Sequence, residues 1–209
     1  MICLQGGAEF GSSCVDMDGS LLDRSPAGDV VILAGAAAPG REFDIASANA
    51  VRYYSRLTDR RVVAPQDPRI DPAAFVDAAR SAALVVLPGG SPARLLDVLV
   101  GDVLDALVGV SEGGGTISGA SAGAMVLCTY TAIPGGGISD GLALVPGVAI
   151  PHFDGSNWWN LDLPDDVPRW GLPECGGVVF RSGSVVALGA QGAQRLDENG
   201  ASPVERSPL

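Results

Sequence analysis

Short runs of apolar residues alternate along the chain with longer stretches in which apolar positions recur every three or four residues. The first pattern is that of buried strands, the second that of helices packed on them. Their alternation predicts an α/β fold with a mostly parallel sheet. Residues 1–5 and 30–34 read as buried strands, each running into small residues or glycine. Ala46, Ala50, Tyr54 and Leu57 share one helical face, and 62–64 reads as a short strand. Asp71-Pro72 then supplies an N-cap and a proline at the first helical position, ahead of Phe75, Ala79 and Ala82.

The pattern is sharpest in the middle of the chain. Residues 83–87 form a continuous apolar strand followed by Pro88-Gly89-Gly90, and Ser91-Pro92 is a second cap and N1 pair. The helix it opens buries Leu95, Leu96 and Leu99 and is predicted to run, kinked at Gly101, to Leu107. Gly113-Gly114-Gly115 is a turn, 116–119 a strand and 122–129 a helix. A glycine-rich loop at 134–141 leads to the apolar run 148–152, and 178–181 with 185–188 read as a hairpin turning at Ser182-Gly183-Ser184. The pattern contains no repeat and no linker, so a single domain spanning 1–209 is expected, with a flexible polar tail after about residue 197.

Composition narrows what such a domain does. At 209 residues with a mean hydropathy of +0.29, the chain can bury a sizeable core. Its formal net charge of −11 argues against nucleic acid and anionic membrane as partners. All thirteen basic residues are arginine, which removes the lysine Schiff base and the P-loop lysine from the available chemistry. No segment has the character of a signal peptide or a membrane span. The four cysteines lack CxxC spacing and there is one histidine, so no metal or other cofactor is expected. Reduced thiols in a cytoplasmic protein, monomeric or homodimeric, are the expectation.

One pentapeptide carries chemistry. Gly119-Ala120-Ser121-Ala122-Gly123 fits G-x-S-x-G between a strand and a helix, where a sharp turn exposes the serine as a nucleophile. The Ala122 N–H, opening the helix, is placed to donate to an oxyanion, and the Gly89-Gly90 turn is suited to supply a second donor. A serine needs a base, and the only histidine, His152, follows an apolar strand and stands beside Phe153 and Asp154. Between Ser121 and His152 the only carboxylate is Asp140, so the acid that orients the histidine is sought after it: Glu174 or Asp154. Asp162, Asp165 and Asp166 read as solvated surface charge.

These segments, taken in order, resemble peptidase family S51, that of aspartyl dipeptidase (dipeptidase E) and cyanophycinase. The resemblance runs through Leu4-Gln5-Gly6-Gly7, Pro88-Gly89-Gly90 with Leu95-Leu96, the Ser121 pentapeptide with Ala124, Asp140-Gly141-Leu142, His152-Phe153 and Gly171-Leu172-Pro173-Glu174. It implies a three-layer fold of the class I glutamine amidotransferase-like, flavodoxin type. It also implies a triad of Ser121, His152 and Glu174, an oxyanion hole from Gly90 and Ala122, and small peptide substrates cleaved at aspartyl residues. The chain departs from the family after the paired glycines: Ser91-Pro92 and Arg94 stand where Asp-Gln or Asn-Thr and a glutamine are usual. An acidic substrate side chain calls for an arginine, and Arg94 and Arg169 are the candidates, with Gly89, Ser91 and Asp154 as further substrate contacts.

Three other readings use the same residues. Glutamine amidotransferases place cysteine at the elbow. α/β-Hydrolases place the acid between serine and histidine. A non-catalytic binding protein on this scaffold has no need of all three triad residues.

Overall fold

The computed structural model describes residues 1–133, 135, 137–156, 161–198 and 200–206. Five strands run parallel in one sheet: β1 (Ile2–Gln5), β2 (Asp29–Ile32), β3 (Val62–Val63), β4 (Ala82–Leu87) and β5 (Thr116–Ala120). Their spatial order is β1-β5-β4-β2-β3. The stretch β3-β2-β4-β5 repeats the 2-1-3-4 order of flavodoxin-type sheets, and the N-terminal strand takes the fifth place.

Alternate residues of these strands enter two cores, as a pleated strand buried on both faces requires. Cys3, Val30, Ile32, Leu84 and Val86 meet α1 (Val15–Arg24) and α2 (Arg41–Tyr54) on one side. Leu4, Val31, Leu33, Val85 and Leu87 face α3 (Pro72–Ala79), α4 (Pro92–Val98), α5 (Gly101–Glu112) and α6 (Ala122–Leu127) on the other. This is the expected three-layer α/β arrangement. The two caps form as read: the Asp71 carboxylate accepts from the Ala74 N–H and the Ser91 hydroxyl from the Arg94 N–H. The helix expected to bend at Gly101 is instead two helices. Leu99 and Val100 leave helical geometry, and Gly101 takes a φ of +52° that ends any continuity.

A second sheet goes beyond the sequence reading. The predicted helix 122–129 stops at Leu127, and the chain turns directly into β6 (Cys128–Ile133). The segment 134–141, read as a loop, contains β7 (Gly137–Asp140), antiparallel to β6; Pro134 and Gly136 lie outside the described residues. β8 (Val145–Pro151) and β9 (Arg169–Leu172) continue this sheet in parallel. The predicted late hairpin is β10 (Gly176–Arg181) with β11 (Ser184–Gly189), and it pairs with β1 at the edge of the first sheet. The tail is a hairpin too: β12 (Gln194–Asp197) and β13 (Gly200–Pro203) close the edge of the second sheet against β9. Its polar residues conceal the strand pattern because only Leu196 of β12 is buried.

The two sheets share one core, in which Val145, Val148, Trp170 and Leu172 of the second pack with Leu4, Ile117 and Val178 of the first. The four cysteines are free thiols. Among the described residues no helix is long and apolar enough to cross a membrane.

Candidate active site

The C-terminal ends of β5, β8 and β9 converge, and each delivers one polar side chain. β5 ends at Ala120, and Ser121 turns the chain into α6 with φ +48° and ψ −108°. For a non-glycine residue that conformation costs about 1–3 kcal/mol and persists only where the surroundings impose it. Here the Ser121 N–H donates to the Gln5 carbonyl at 3.0 Å, and the Ser121 carbonyl accepts from the Met125 N–H at 3.0 Å. The flanking glycines are steric requirements. A Cβ on Gly123 would stand 2.1 Å from the Leu87 carbonyl oxygen, and one on Gly119 would stand 2.4 Å from the Gly123 carbonyl carbon. α6 therefore sits against the ends of β4 and β5 only because both positions lack side chains.

His152 follows β8 with φ +52°, and its N–H donates to the Gly6 carbonyl at 2.9 Å. Its ring bridges the two other groups. Nε2 lies 3.0 Å from Ser121 Oγ, and Nδ1 lies 3.3 Å from Glu174 Oε1. A carboxylate can only accept, so Nδ1 carries the proton and donates to Glu174, and Nε2 is left to accept from the serine hydroxyl. The His152 and Glu174 side chains are 50% and 64% exposed, so the line of groups is open to an incoming molecule.

Base and acid are held to one another through the N-terminal glycine pair. Gly6 accepts from His152, and Gly7 accepts from the Cys175 N–H at 3.2 Å, directly after Glu174. Gly7 adopts φ +132°, and a Cβ there would fall 2.4 Å from His152 Cε1. The bare backbone of Gly7 thus forms one wall of the imidazole's slot.

The Pro88-Gly89-Gly90 turn lies on the serine's other side. Gly90, at φ +141°, is pressed on Ala36, and the Ser91 N–H donates to the Ala36 carbonyl at 2.9 Å. The Gly89 N–H is taken by Glu9 Oε1 at 2.8 Å. A Cβ on Gly89 would meet both Glu9 Oε1, at 2.6 Å, and Ser121 Cβ, at 3.2 Å, so the carboxylate and the serine share the space over this glycine. Glu9 lies between Ala8 (φ +56°) and Phe10 (φ +66°), both in the left-handed region. The N–H groups of Gly90 and Ala122 make no hydrogen bond within the described residues.

The remaining sequence candidates divide. Arg94 and Ser91, with Gly89 and Gly90, line a cleft of about 700 Å³ whose far wall holds Glu42, Ile45 and Asn49. Arg169 is not brought there. It stands at the start of β9, opposite Val148, and its guanidinium donates to the Leu163 carbonyl at 3.1 Å, whereas the site lies beyond the Leu172 end. Asp154 turns its carboxylate back onto the Ser156 N–H and hydroxyl at 2.8 and 2.7 Å, and Glu174 is the acid beside His152. Glu9 and the wall role of Gly7 were not read from the sequence. The only signal was a glycine pair closing the first strand.

Among the described residues no group of three or more His, Cys, Asp or Glu is placed to hold a metal. Residues 69–160, which include Ser121 and His152, match the model of peptidase family S51. The fold is that of a peptidase from an acI-B1 actinobacterium (TM-score 0.81, 22% identity, 99% of this chain and 94% of the other). A candidate peptidase E protein from Listeria monocytogenes EGD-e is similar at TM-score 0.63 and 14% identity, over 89% of this chain and 96% of the other. No curated protein matches the sequence.

Proposed function

We propose that the protein, whose residues 69–160 match the model of peptidase family S51, is a serine peptidase that hydrolyses small peptides by acyl transfer. The observation that carries this reading is the run of contacts from Ser121 Oγ to His152 Nε2, 3.0 Å, and from His152 Nδ1 to Glu174 Oε1, 3.3 Å.

In the proposed reaction His152 Nε2 takes the Ser121 proton as the hydroxyl oxygen attacks the scissile carbonyl carbon. Glu174 keeps the proton on Nδ1 and stabilises the imidazolium that forms. The carbonyl oxygen, now an anion, is received by the N–H groups of Gly90 and Ala122, which have no other acceptor among the described residues. The imidazolium returns its proton to the leaving amine as the C–N bond breaks. Water then enters the vacated place and attacks the acyl carbonyl carbon as His152 takes its proton; the bond from that carbon to Ser121 Oγ breaks, and the imidazolium returns the proton to Oγ as the acid leaves.

Arg94 is the cation at the cleft beside the oxyanion turn, which favours an acidic side chain next to the scissile bond, α- or β-linked aspartyl residues in the first place. Purified protein assayed on Asp-X, Glu-X and β-aspartyl dipeptides is expected to cleave at least one of them. The Ser121→Ala protein is expected to cleave none, and undiminished turnover by that variant would end the proposal.

A further inference from the structure

A second cavity, of about 800 Å³, lies at the opposite end of the strands that carry Ser121, His152 and Glu174. Thr116, Val145 and Trp170 line it. They stand in β5, β8 and β9, at or near the starts of these strands, whose far ends deliver the three site residues. The cavity is therefore separate from the site around Ser121. Its size falls within the range of small-molecule pockets.

Its charge runs against the composition of the chain. Acidic residues outnumber arginines 24 to 13 overall, yet among the described residues the wall holds Arg24, Arg181 and Arg195 and no carboxylate. None of the three forms an ion pair among the described residues. Arg24 is held only by the Ser20 hydroxyl, at 3.1 Å from its Nε. Guanidiniums that share a concave space without a counter-charge repel one another, and the field between them is relieved by an anion.

The floor is aromatic. Trp170 of the second sheet and Phe180 of the first meet edge to face with centroids 5.2 Å apart. The Trp170 indole is fixed by donating to the Pro146 carbonyl at 2.9 Å. Arg195 is the direct cross-strand partner of Trp170, so their side chains emerge on the same face of the sheet. Arg181 lines the same cavity from the end of β10, on the face of the strand opposite Phe180. Charge at the rim and ring surface below are the two halves of a site for one kind of molecule.

We propose that this cavity binds a small aromatic anion, a planar ring joined to a phosphate or carboxylate. The oxyanion is taken by Arg181 and Arg195, with Arg24 supplying further positive field, and the ring lies against Phe180 and Trp170.

The test uses adenosine 5′-monophosphate as probe, with inorganic phosphate and adenosine as its two halves, titrated calorimetrically into the Ser121→Ala protein. That background keeps the outcome independent of any turnover at the other site. Saturable binding of the monophosphate is expected, with phosphate and adenosine each at least about tenfold weaker. The pair Arg181→Ala and Arg195→Ala is expected to weaken the monophosphate at least about tenfold. The same pair should leave the thermal midpoint, and dipeptide turnover in protein that retains Ser121, close to the parent's. No saturable heat up to about 5 mM, adenosine binding as tightly as the monophosphate, or affinity unmoved by the arginine pair would each overturn the proposal.

Discussion

Gly7 lies against the face of His152 so closely that a Cβ on it would sit 2.4 Å from Cε1 and 2.8 Å from Nδ1. No side chain fits between this backbone and the ring. Gly7→Ala must therefore move the imidazole away from Ser121 or Glu174, or shift the Gly6-Gly7 backbone, which accepts from the His152 and Cys175 N–H groups. A displacement of about 1 Å in a positioned catalytic group costs roughly a hundredfold in rate. The substitution also puts a side chain at φ +132°, a stability cost of about 1–2 kcal/mol. Dipeptide turnover is expected to fall about a hundredfold with the fold retained, as followed by circular dichroism. Near-normal turnover would show that the ring has room this geometry denies it.

Glu9 holds the Gly89 N–H at 2.8 Å and so fixes the turn that presents Gly90 beside Ser121. What this needs is an acceptor, and a glutamine side-chain oxygen is one. Glu9→Gln is expected to keep most of the rate. Glu9→Ala leaves the N–H without its partner and is expected to lower kcat about tenfold with KM little changed, in line with the loss of one charge-assisted hydrogen bond. Equal losses in both variants would mean that the negative charge, rather than the acceptor, is what the site uses.

Sequence pattern was most informative where one signal dominated. β4 is a run of apolar residues closed by Pro-Gly-Gly, and the caps at Asp71 and Ser91 each rest on a side chain bonding three residues ahead, so all three were legible. α1 was not. Its buried stripe includes Asp18 beside Met17, Leu21 and Leu22, and a carboxylate breaks the apolar period. Cys128 and Thr129, the first two residues of β6, read as the end of the preceding helix because residues 122–133 are almost uniformly small or apolar, and length alone cannot divide them. Ser121 and His152 could be singled out by local context. Glu174 and Asp154 could not be separated without coordinates, because the choice depends on where β9 ends relative to β8. The partner of Glu9 is a backbone N–H eighty residues away, and no residue type in the sequence marks it.

Two glycine-to-alanine changes should move stability in opposite directions. At Gly123 the added methyl would sit 2.1 Å from the Leu87 carbonyl oxygen, a backbone atom that cannot step aside without breaking the β4–β5 end. A loss of about 3 kcal/mol or more is expected, with the elbow disrupted. At Gly19, inside α1, the methyl meets nothing within 4 Å. There alanine should raise stability by about 0.5–1 kcal/mol through helix propensity alone. Urea midpoints for the two variants check both signs, and a stable Gly123→Ala protein would mean that α6 can lift from β4.

Asp18 makes the stability of the fold depend on pH in a direction that can be worked out. It is 1% exposed, and its carboxylate accepts from Gln5 Nε2 at 2.9 Å, the Tyr53 hydroxyl at 2.8 Å and the Tyr54 hydroxyl at 3.3 Å. Burial nevertheless outweighs these three donors and pushes its pKa above the ordinary aspartate value, with Glu9 adding to the rise. Between the ordinary and the raised value the folded chain holds a proton that the unfolded chain has released. Stability therefore falls as pH rises through that window and levels off above it, by at most about 1.4 kcal/mol per pH unit for a single proton. Asp18→Asn cannot titrate and keeps an oxygen for Gln5, while its amide can donate to the Tyr53 oxygen. The wild-type urea midpoint should thus drop relative to that of Asp18→Asn as pH is raised from the acidic side toward neutrality, with the gap constant thereafter. Because Gln5 also donates to the Ser118 hydroxyl at 3.0 Å and its carbonyl holds the Ser121 N–H, the same titration bears on the strand beneath the elbow. A gap between the two proteins that stays flat across the whole range would show that Asp18 is charged in the folded chain as readily as in the unfolded one.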